Sequence, residues 1–358
     1  MNTLRTTLPR TTSKSRIFEL LKTTTAQGQP TITHPRPHHA LFSTTHPISL
    51  HHNHASLSAS NPRTPPSPPA AEASALANAN ENGQAPAPAP TYLGTTKRLP
   101  EFNLVDKVVL VSGAGRGLGL VCAEALLEAG AIVYALDRLP TPSPAFQRVQ
   151  NRATTELGTS LHYRRIDVRD VEQLNGIVGA IADEHGRMDG LVAAAGIQQE
   201  MPALEYAAAD CDEMMSVNVT GCFMTCQAVA RQMVRCGGKG SIVMIGSMSA
   251  GIANRGLICP AYNASKAAVL QLARNLASEW GQHGIRVNTI SPGYIVTAMV
   301  EALFEKFPDR REDWPKQNML GRLSAPEEYR GAAVFLISDA SSFMTGADLK
   351  MDGGHSAW

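Results

Sequence analysis

From about residue 103 onward the sequence predicts an α/β protein, a doubly wound parallel sheet built as a single domain. Three observations carry that expectation. Short apolar runs rich in β-branched residues alternate with longer amphipathic stretches, as strands buried on both faces alternate with covering helices. A glycine-rich turn, Ser112-Gly113-Ala114-Gly115-Arg116-Gly117-Leu118-Gly119, joins the first apolar run to the first helix pattern. Later in the same domain Tyr262 and Lys266 stand four residues apart in a stretch of helical character, which puts both side chains on one face.

Taken in order, residues 107–111 read as a short buried strand, 112–119 as the turn and 120–129 as the helix that follows. Glycines let the backbone bend sharply and approach a diphosphate, which then lies at the helix N-terminus where unpaired N–H groups and the dipole attract negative charge. A dinucleotide fits such a place, with Gly113, Arg116, Gly117, Leu118 and Gly119 around it. A second strand, 131–136, ends at Asp137, eighteen residues past Gly119, where a carboxylate can grip a ribose 2′-hydroxyl. A 2′-phosphate there would meet like charge, so NAD is the expected cofactor; Arg138 next door leaves NADP as the alternative. A further buried strand spans 241–245, Ser247 follows it directly, and the Tyr262 helix comes next.

The tyrosine and lysine indicate the chemistry. A phenol with its ordinary pKa near ~10 is a poor base at neutral pH, whereas an ammonium one helical turn away favours the phenolate. Lowering the phenol by about three pH units corresponds to roughly 4 kcal/mol of differential stabilisation. A tyrosine so placed can act as base in one direction of a reaction and as acid in the other.

In this order the motifs resemble the short-chain dehydrogenase/reductase superfamily, whose signature is T-G-x-x-x-G-x-G near the start and Y-x-x-x-K later; here they read SGAGRGLG and YNASK. The resemblance covers about residues 103–358. Asp167-Val168 after the third strand, Asn218 in NVTG, Ser247 in IGSMS, Ser291-Pro292-Gly293 and Asp352-Gly353-Gly354 recur in the family order. It implies a Rossmann-type fold, a nicotinamide cofactor and an oligomer, expected to be a tetramer with the closing DGGHSAW near an interface. It also implies roles. Tyr262 takes the hydroxyl proton of an alcohol while hydride passes to the nicotinamide, and Lys266 holds the nicotinamide ribose and, with the cationic nicotinamide, depresses the tyrosine. Ser247 bonds the substrate oxygen, and Asn218 holds a water leading to Lys266. Further cofactor contacts are implied at Asp167, Val168, Ala194, Gly196, Pro292, Gly293, Ile295 and Thr297, and no metal is required.

Two departures from the family pattern stand out. Where the family has N-N-A-G after the fourth strand, this chain has Ala193-Ala194-Ala195-Gly196, so bracing asparagines are absent. Ser247 precedes Tyr262 by fifteen residues and Ser249 by thirteen, the commoner family spacing. Ser247 is the expected serine because it follows the buried strand directly, and Ser249 is the alternative. The stretches IGSMSAGIAN and IRVNTISPGYIVTAM, with the ending DGGHSAW, look like the fungal polyol dehydrogenases. That likeness implies a sugar alcohol and its ketose as substrates, D-arabinitol and a pentulose first among them. The alternatives are an NADPH-linked ketose reductase, of the mannitol dehydrogenase or sorbose reductase kind, and a 3-oxoacyl reductase. A dinucleotide-binding sensor without turnover would lack part of the Asn218, Ser247, Tyr262 and Lys266 tetrad, which is complete here.

Two regions divide the chain: a leader, 1–98, and the enzyme domain, 99–358. Thirteen of the 23 prolines fall in the leader, with runs such as Pro65-Pro66-Ser67-Pro68-Pro69 and an Ala-Pro repeat, so it is expected to be disordered. Its first residues set Arg5, Arg10, Lys14, Arg16 and Lys22 against the single acid Glu19, with Ile17, Leu20 and Leu21 on one helical face, which is the pattern of a mitochondrial presequence. The matrix is therefore the expected location and the cytoplasm the alternative. Seven of the 11 histidines crowd between His34 and His54 without ordered metal spacing. All six cysteines lie in the enzyme domain at spacings that suggest neither zinc nor a disulfide framework. A net charge of +1 gives no nucleic-acid footprint, and no apolar run is long enough for a bilayer. Residues 298–318 mix Leu303, Phe304, Phe307 and Trp314 with many charges and read either as a lid over the substrate or as a subunit contact.

Overall fold

The structure, a computed structural model, describes residues 99–358. The expectations for the leader, its presequence, its disorder and its histidine run, lie outside the described residues. Among the described residues seven strands make one parallel sheet: β1 Val108–Ser112, β2 Ile132–Asp137, β3 Leu161–Arg165, β4 Gly190–Ala193, β5 Gly240–Ile245, β6 Ile285–Pro292 and β7 Asp348–Met351. Their order across the sheet is β3-β2-β1-β4-β5-β6-β7. The helices are α1 Gly117–Glu128, α2 Pro144–Thr155, α3 Val171–His185, α4 Ala208–Met215, α5 Cys222–Arg235, α6 Pro260–Trp280, α7 Ala298–Lys306, α8 Asp309–Asp313 and α9 Arg330–Ile337.

Alternation within each strand explains why the runs are apolar throughout. In β1, Val108 and Leu110 join one core while Val109 and Val111 join the other, because successive side chains leave opposite faces of a sheet. The same division separates Tyr134 and Leu136 from Val133 and Ala135, and Ile242 and Met244 from Val243. The first core lies under α3, α5 and α6, through Leu174, Val178, Val229, Val269 and Leu276 among others. The second lies under α1, α2 and α9, through Leu126, Phe146 and Leu336. A sheet covered by helices on both faces is the doubly wound architecture expected from the sequence.

From β1 the chain builds outward to β2 and β3, then crosses to start the other half at β4. The carboxyl ends of β1 and β4 diverge at this switch point, the place where such sheets receive a ligand. Ser112 of β1 is in register with Ala193 of β4, and Ala193 with Met244 of β5, so the loops that follow these strands open side by side. Observed strand limits differ from the expected ones by a residue or so. The helix after the turn begins earlier than expected, at Gly117 rather than Leu120, because the helical hydrogen bonding takes in the last turn glycines. No helix among the described residues is long and apolar enough to cross a membrane.

Candidate active site

Helix α6 begins with Pro260 at its first turn, a position that needs no backbone donor. Its buried residues Val269, Ala273, Leu276 and Ala277 hold one face against the sheet, and this fixes the direction of the turns before them. Tyr262 and Lys266 follow from that orientation on one side of the helix, with the ammonium 5.7 Å from the phenol ring centre. Lys266 is 7% exposed and its Nζ donates to the carbonyl of Ile245 at 2.8 Å, at the end of β5. Burial pushes this ammonium down to about 8, low for a lysine but still mostly protonated at neutral pH.

Tyr262 keeps part of its surface open while burial raises its pKa; the Ser247 hydroxyl beside the phenol pulls the other way. The expected lowering, by Lys266 together with a cationic nicotinamide, concerns the loaded site. In the protein alone desolvation by burial is the largest influence on the phenol, and the positive charge of a bound oxidised nicotinamide would act against it. Ser247 caps the short helical turn Met248–Ala250, its Oγ accepting from the Ser249 N–H at 3.1 Å. The serine that meets the phenol is thus Ser247, and Ser249 lies one step behind it, 4% exposed.

Asn218 sits where α4 passes into α5 through a π-helical turn, Ser216–Gly221. Turns of this kind occur frequently at functional sites. Its Oδ1 accepts from the Ile197 N–H at 2.8 Å, and its Nδ2 donates to the Ile197 carbonyl at 2.9 Å and to Ser265 Oγ at 3.0 Å. The side chain therefore clamps the loop after β4 to α6. Gly196 in that loop lies between Asn218 and Lys266: a methyl added there would stand 3.3 Å from Asn218 Oδ1 and 3.7 Å from Lys266 Nζ. Where the bracing asparagines of the family pattern are missing, Ser112 takes part of the load, its Oγ accepting from the Ala195 N–H at 3.2 Å and its carbonyl from the Ala194 N–H at 3.2 Å. Ser112 and Ser265 were not singled out in the sequence; a hydroxyl at the end of a strand that opens onto a glycine turn is the one signal that could have drawn attention to Ser112.

The glycine turn fits a diphosphate. No side chain caps the N-terminus of α1, so its first N–H groups are left without a side-chain partner. Gly117 has φ +58° and open space within 4 Å of where a side chain would begin, whereas a Cβ on Gly119 would meet the Gly113 carbonyl oxygen at 2.3 Å. One glycine frees the approach and the other lets helix and turn close together. Arg116 is exposed at the rim and Leu118 is partly buried beneath it. Asp137 Oδ2 accepts from the Gly115 N–H at 2.8 Å and Oδ1 from the Leu139 N–H at 3.2 Å, so the carboxylate braces the turn and keeps further lone pairs for a ribose. Beside it Arg138, Arg165, Ile166, Asp167 and Gln173 line a cavity of about 390 Å³. Asp167 is paired with Arg169 at 2.6 Å, and that guanidinium holds its carboxyl below the usual range. Val168 is buried against the π turn, where a Cβ on Gly221 would come within 2.6 Å of its Cγ2.

Opposite this half, Pro292 ends β6 and Gly293 passes so close to Asp352 that a Cβ would meet its Cα at 2.8 Å. Ile295 bridges to Ser324, and Thr297 caps α7 with its hydroxyl accepting from the Val300 N–H at 3.3 Å. The segment 298–318 folds inward: Trp314, 3% exposed, stacks on Tyr294 with ring centres 4.0 Å apart, and Phe304 meets Trp314 edge-on at 5.5 Å. Its aromatic face is thus used to cover the residues after β6, leaving Phe307 exposed. His355 of the C-terminal DGGHSAW closes on the other edge of Tyr294, with ring centres 5.5 Å apart.

Fold and site together define a class: enzymes that move a hydride between a nicotinamide dinucleotide and a carbon bearing a hydroxyl. Residues 113–356 match the family model described as Enoyl-(Acyl carrier protein) reductase. The chain belongs to the short-chain dehydrogenase/reductase family. It is 39% identical to a short-chain dehydrogenase/reductase of Aspergillus versicolor, covering 72% of this chain and 89% of that one. It is 40% identical to a galactitol 2-dehydrogenase of Rhizobium johnstonii, covering 72% and 98%. It is also 34% identical to a ribulose-forming D-arabinitol 2-dehydrogenase of Candida tropicalis, covering 73% and 96%. Among solved structures it resembles a gluconate 5-dehydrogenase of Burkholderia cenocepacia in complex with NADP and tartrate, with TM-score 0.66, 33% identity and coverage of 73% and 99%. It resembles equally a carveol dehydrogenase of Mycobacterium avium in complex with NAD, with TM-score 0.65, 28% identity and coverage of 71% and 98%.

Proposed function

We propose that this chain is an NAD-linked polyol dehydrogenase that interconverts a sugar alcohol and its 2-ketose, with D-arabinitol and a pentulose as the first pair to test. The observation that carries the reading is the contact of Tyr262 with Ser247 on one side and Lys266 on the other, at the carboxyl ends of β4 and β5. The relatives that act at C2 of D-arabinitol and galactitol point to the substrate class.

When bound, the nicotinamide supplies the hydride acceptor or donor. Ser247 orients the substrate oxygen toward Tyr262, whose phenolate takes the hydroxyl proton in oxidation and whose phenol returns it in reduction. Lys266 holds positive charge beside the phenol and, with the residues of the glycine turn, positions the dinucleotide. Asn218 keeps the loop through Gly196 in place; because its side-chain atoms are occupied by Ile197 and Ser265, its part is to set the distance between that loop and Lys266.

For the cofactor, the free lone pairs of Asp137 favour the 2′-hydroxyl of NAD. The two guanidinium groups of Arg138 and Arg165 around the adjoining cavity supply the second reading, NADP. The enzyme is further proposed to work as a tetramer in the mitochondrial matrix. A panel of arabinitol, galactitol, mannitol, xylitol, sorbitol and 3-oxoacyl substrates with NAD and NADP, followed by absorbance of the reduced nicotinamide, tests the reading. Turnover of 2-ketoses and their alditols with NAD is expected, and activity confined to acyl substrates would remove it.

A further inference from the structure

The loop after β4 and helix α8 are tied together by an ion pair that the mechanism above does not use. Glu200 lies in the loop after β4, four residues past Gly196. That loop is fixed at Ile197 by Asn218 and at Met201, whose N–H donates to the carbonyl of Ile258 at 2.9 Å, just ahead of α6. Four residues of chain reach at most about 13 Å, so Glu200 stays near the Lys266 end of the site. Arg310 comes from α8, four residues before the Trp314 that stacks on Tyr294 in the segment after β6.

The pair is bidentate: Nη1 donates to Oε1 and Nη2 to Oε2, both at 2.8 Å. Its side chains are 17% and 23% exposed. The guanidinium lies 4.2 Å from the ring centre of Phe307 and 5.5 Å from that of Trp314, so its plane is set by aromatic rings as well as by the carboxylate. Fork-to-fork pairing is the geometry in which arginine recognises a planar carboxylate, and here the protein supplies that carboxylate itself.

We propose that Glu200 and Arg310 set the charge class of the substrate, an inference that rests on the polyol reading of the same site. With the fork filled by Glu200, the pair is neutral overall and offers both acceptors and donors to an uncharged chain of hydroxyls. A sugar acid meets an arginine already neutralised and an extra carboxylate that repels it. Remove the charge of Glu200 and the same arginine becomes a ready receptor for the carboxylate of an aldonate.

The test compares kcat/KM for an alditol and for the aldonate of equal length, sorbitol and D-gluconate among them, in the wild-type enzyme, Glu200→Gln, Glu200→Asp and Arg310→Met. Glu200→Gln is expected to raise the aldonate-to-alditol ratio at least tenfold, Glu200→Asp to keep the wild-type ratio, and Arg310→Met to abolish the gain when combined with Glu200→Gln. A ratio unchanged in a folded Glu200→Gln enzyme, with kcat or KM altered alike for both substrates, would mean that the pair only latches the loop to α8 and would overturn the proposal. Failure of the polyol reading is distinguished by a second measurement that needs no turnover: quenching of tryptophan fluorescence, with Trp314 beside Arg310, as D-gluconate is added to the enzyme–dinucleotide complex. Tighter gluconate binding in Glu200→Gln supports the charge assignment even if no alditol is oxidised; equal binding in wild type and variant counts against it.

Discussion

At the scale of single residues the decisive quantity is the balance of charge around one phenol. Burial raises Tyr262 and lowers Lys266 to about 8, so desolvation disfavours both ionised forms. Oxidised nicotinamide carries a positive charge and reduced nicotinamide does not. The phenolate should thus be favoured more in the complex that oxidises alcohols than in the one that reduces ketones. Oxidation, which needs the phenolate, is expected to rise with pH through the tyrosine's pKa, and reduction, which needs the phenol, to fall through it. The oxidative titration should lie at the lower pH, and coincident midpoints for the two directions would contradict this electrostatic account. Tyr262→Phe should lower turnover by about 10³-fold while dinucleotide affinity, followed by fluorescence, stays nearly unchanged. Ser247→Ala should cost far more in kcat than Ser249→Ala, because only Ser247 meets the phenol; equal losses would reopen the choice. Tyr262, Lys266 and Ser247 were legible in the sequence because local spacing and a neighbouring strand locate them. Neither the upward shift of Tyr262 nor the Glu200–Arg310 pair was legible, since desolvation depends on what packs overhead and the pair joins positions 110 residues apart.

At the scale of elements, the glycine turn and α1 show how closely sequence and packing agree. The strands were legible from their apolar runs, and their ends drifted by a residue because a parallel ladder continues as long as a neighbour offers partners. Nothing in Ser216–Gly221 announces a π turn; it appears where Asn218 must clamp Ile197 and where Gly221 must admit Val168. The two turn glycines give separable predictions. At Gly119 an added methyl meets the backbone of Gly113 at 2.3 Å and of Ala114 at 3.1 Å, with no flexible side chain to yield, so α1 must move away from the turn. Gly119→Ala should lose about 1–3 kcal/mol of stability in urea unfolding and, by displacing the helix N-terminus, most of its dinucleotide affinity. Gly117→Ala has room but holds φ +58°, so its cost is local strain of about 1–2 kcal/mol. Dinucleotide affinity in Gly119→Ala equal to that of the wild type would show that this close contact does not position the cofactor.

At the scale of the whole molecule, both cores, all seven described strands and every candidate site residue fall within residues 99–358. A chain beginning at residue 99 is therefore expected to unfold in a single cooperative transition and to turn over substrate at the rate of the full-length protein. If so, the leader has no catalytic part and its composition is left to be explained by address. The first residues carry five cations, Arg5, Arg10, Lys14, Arg16 and Lys22, against Glu19, with Ile17, Leu20 and Leu21 spaced for one face of a helix. A reporter fused behind residues 1–98 should accordingly enter mitochondria, and replacing the five cations by glutamine should leave it in the cytoplasm. The reasoning is electrostatic, because a matrix-negative membrane potential draws a cationic segment inward by about 2.3 kcal/mol per charge for each 100 mV. Import that persists after the charges are removed would refute that reasoning, and a wild-type leader that leaves the reporter in the cytoplasm would place this enzyme there instead.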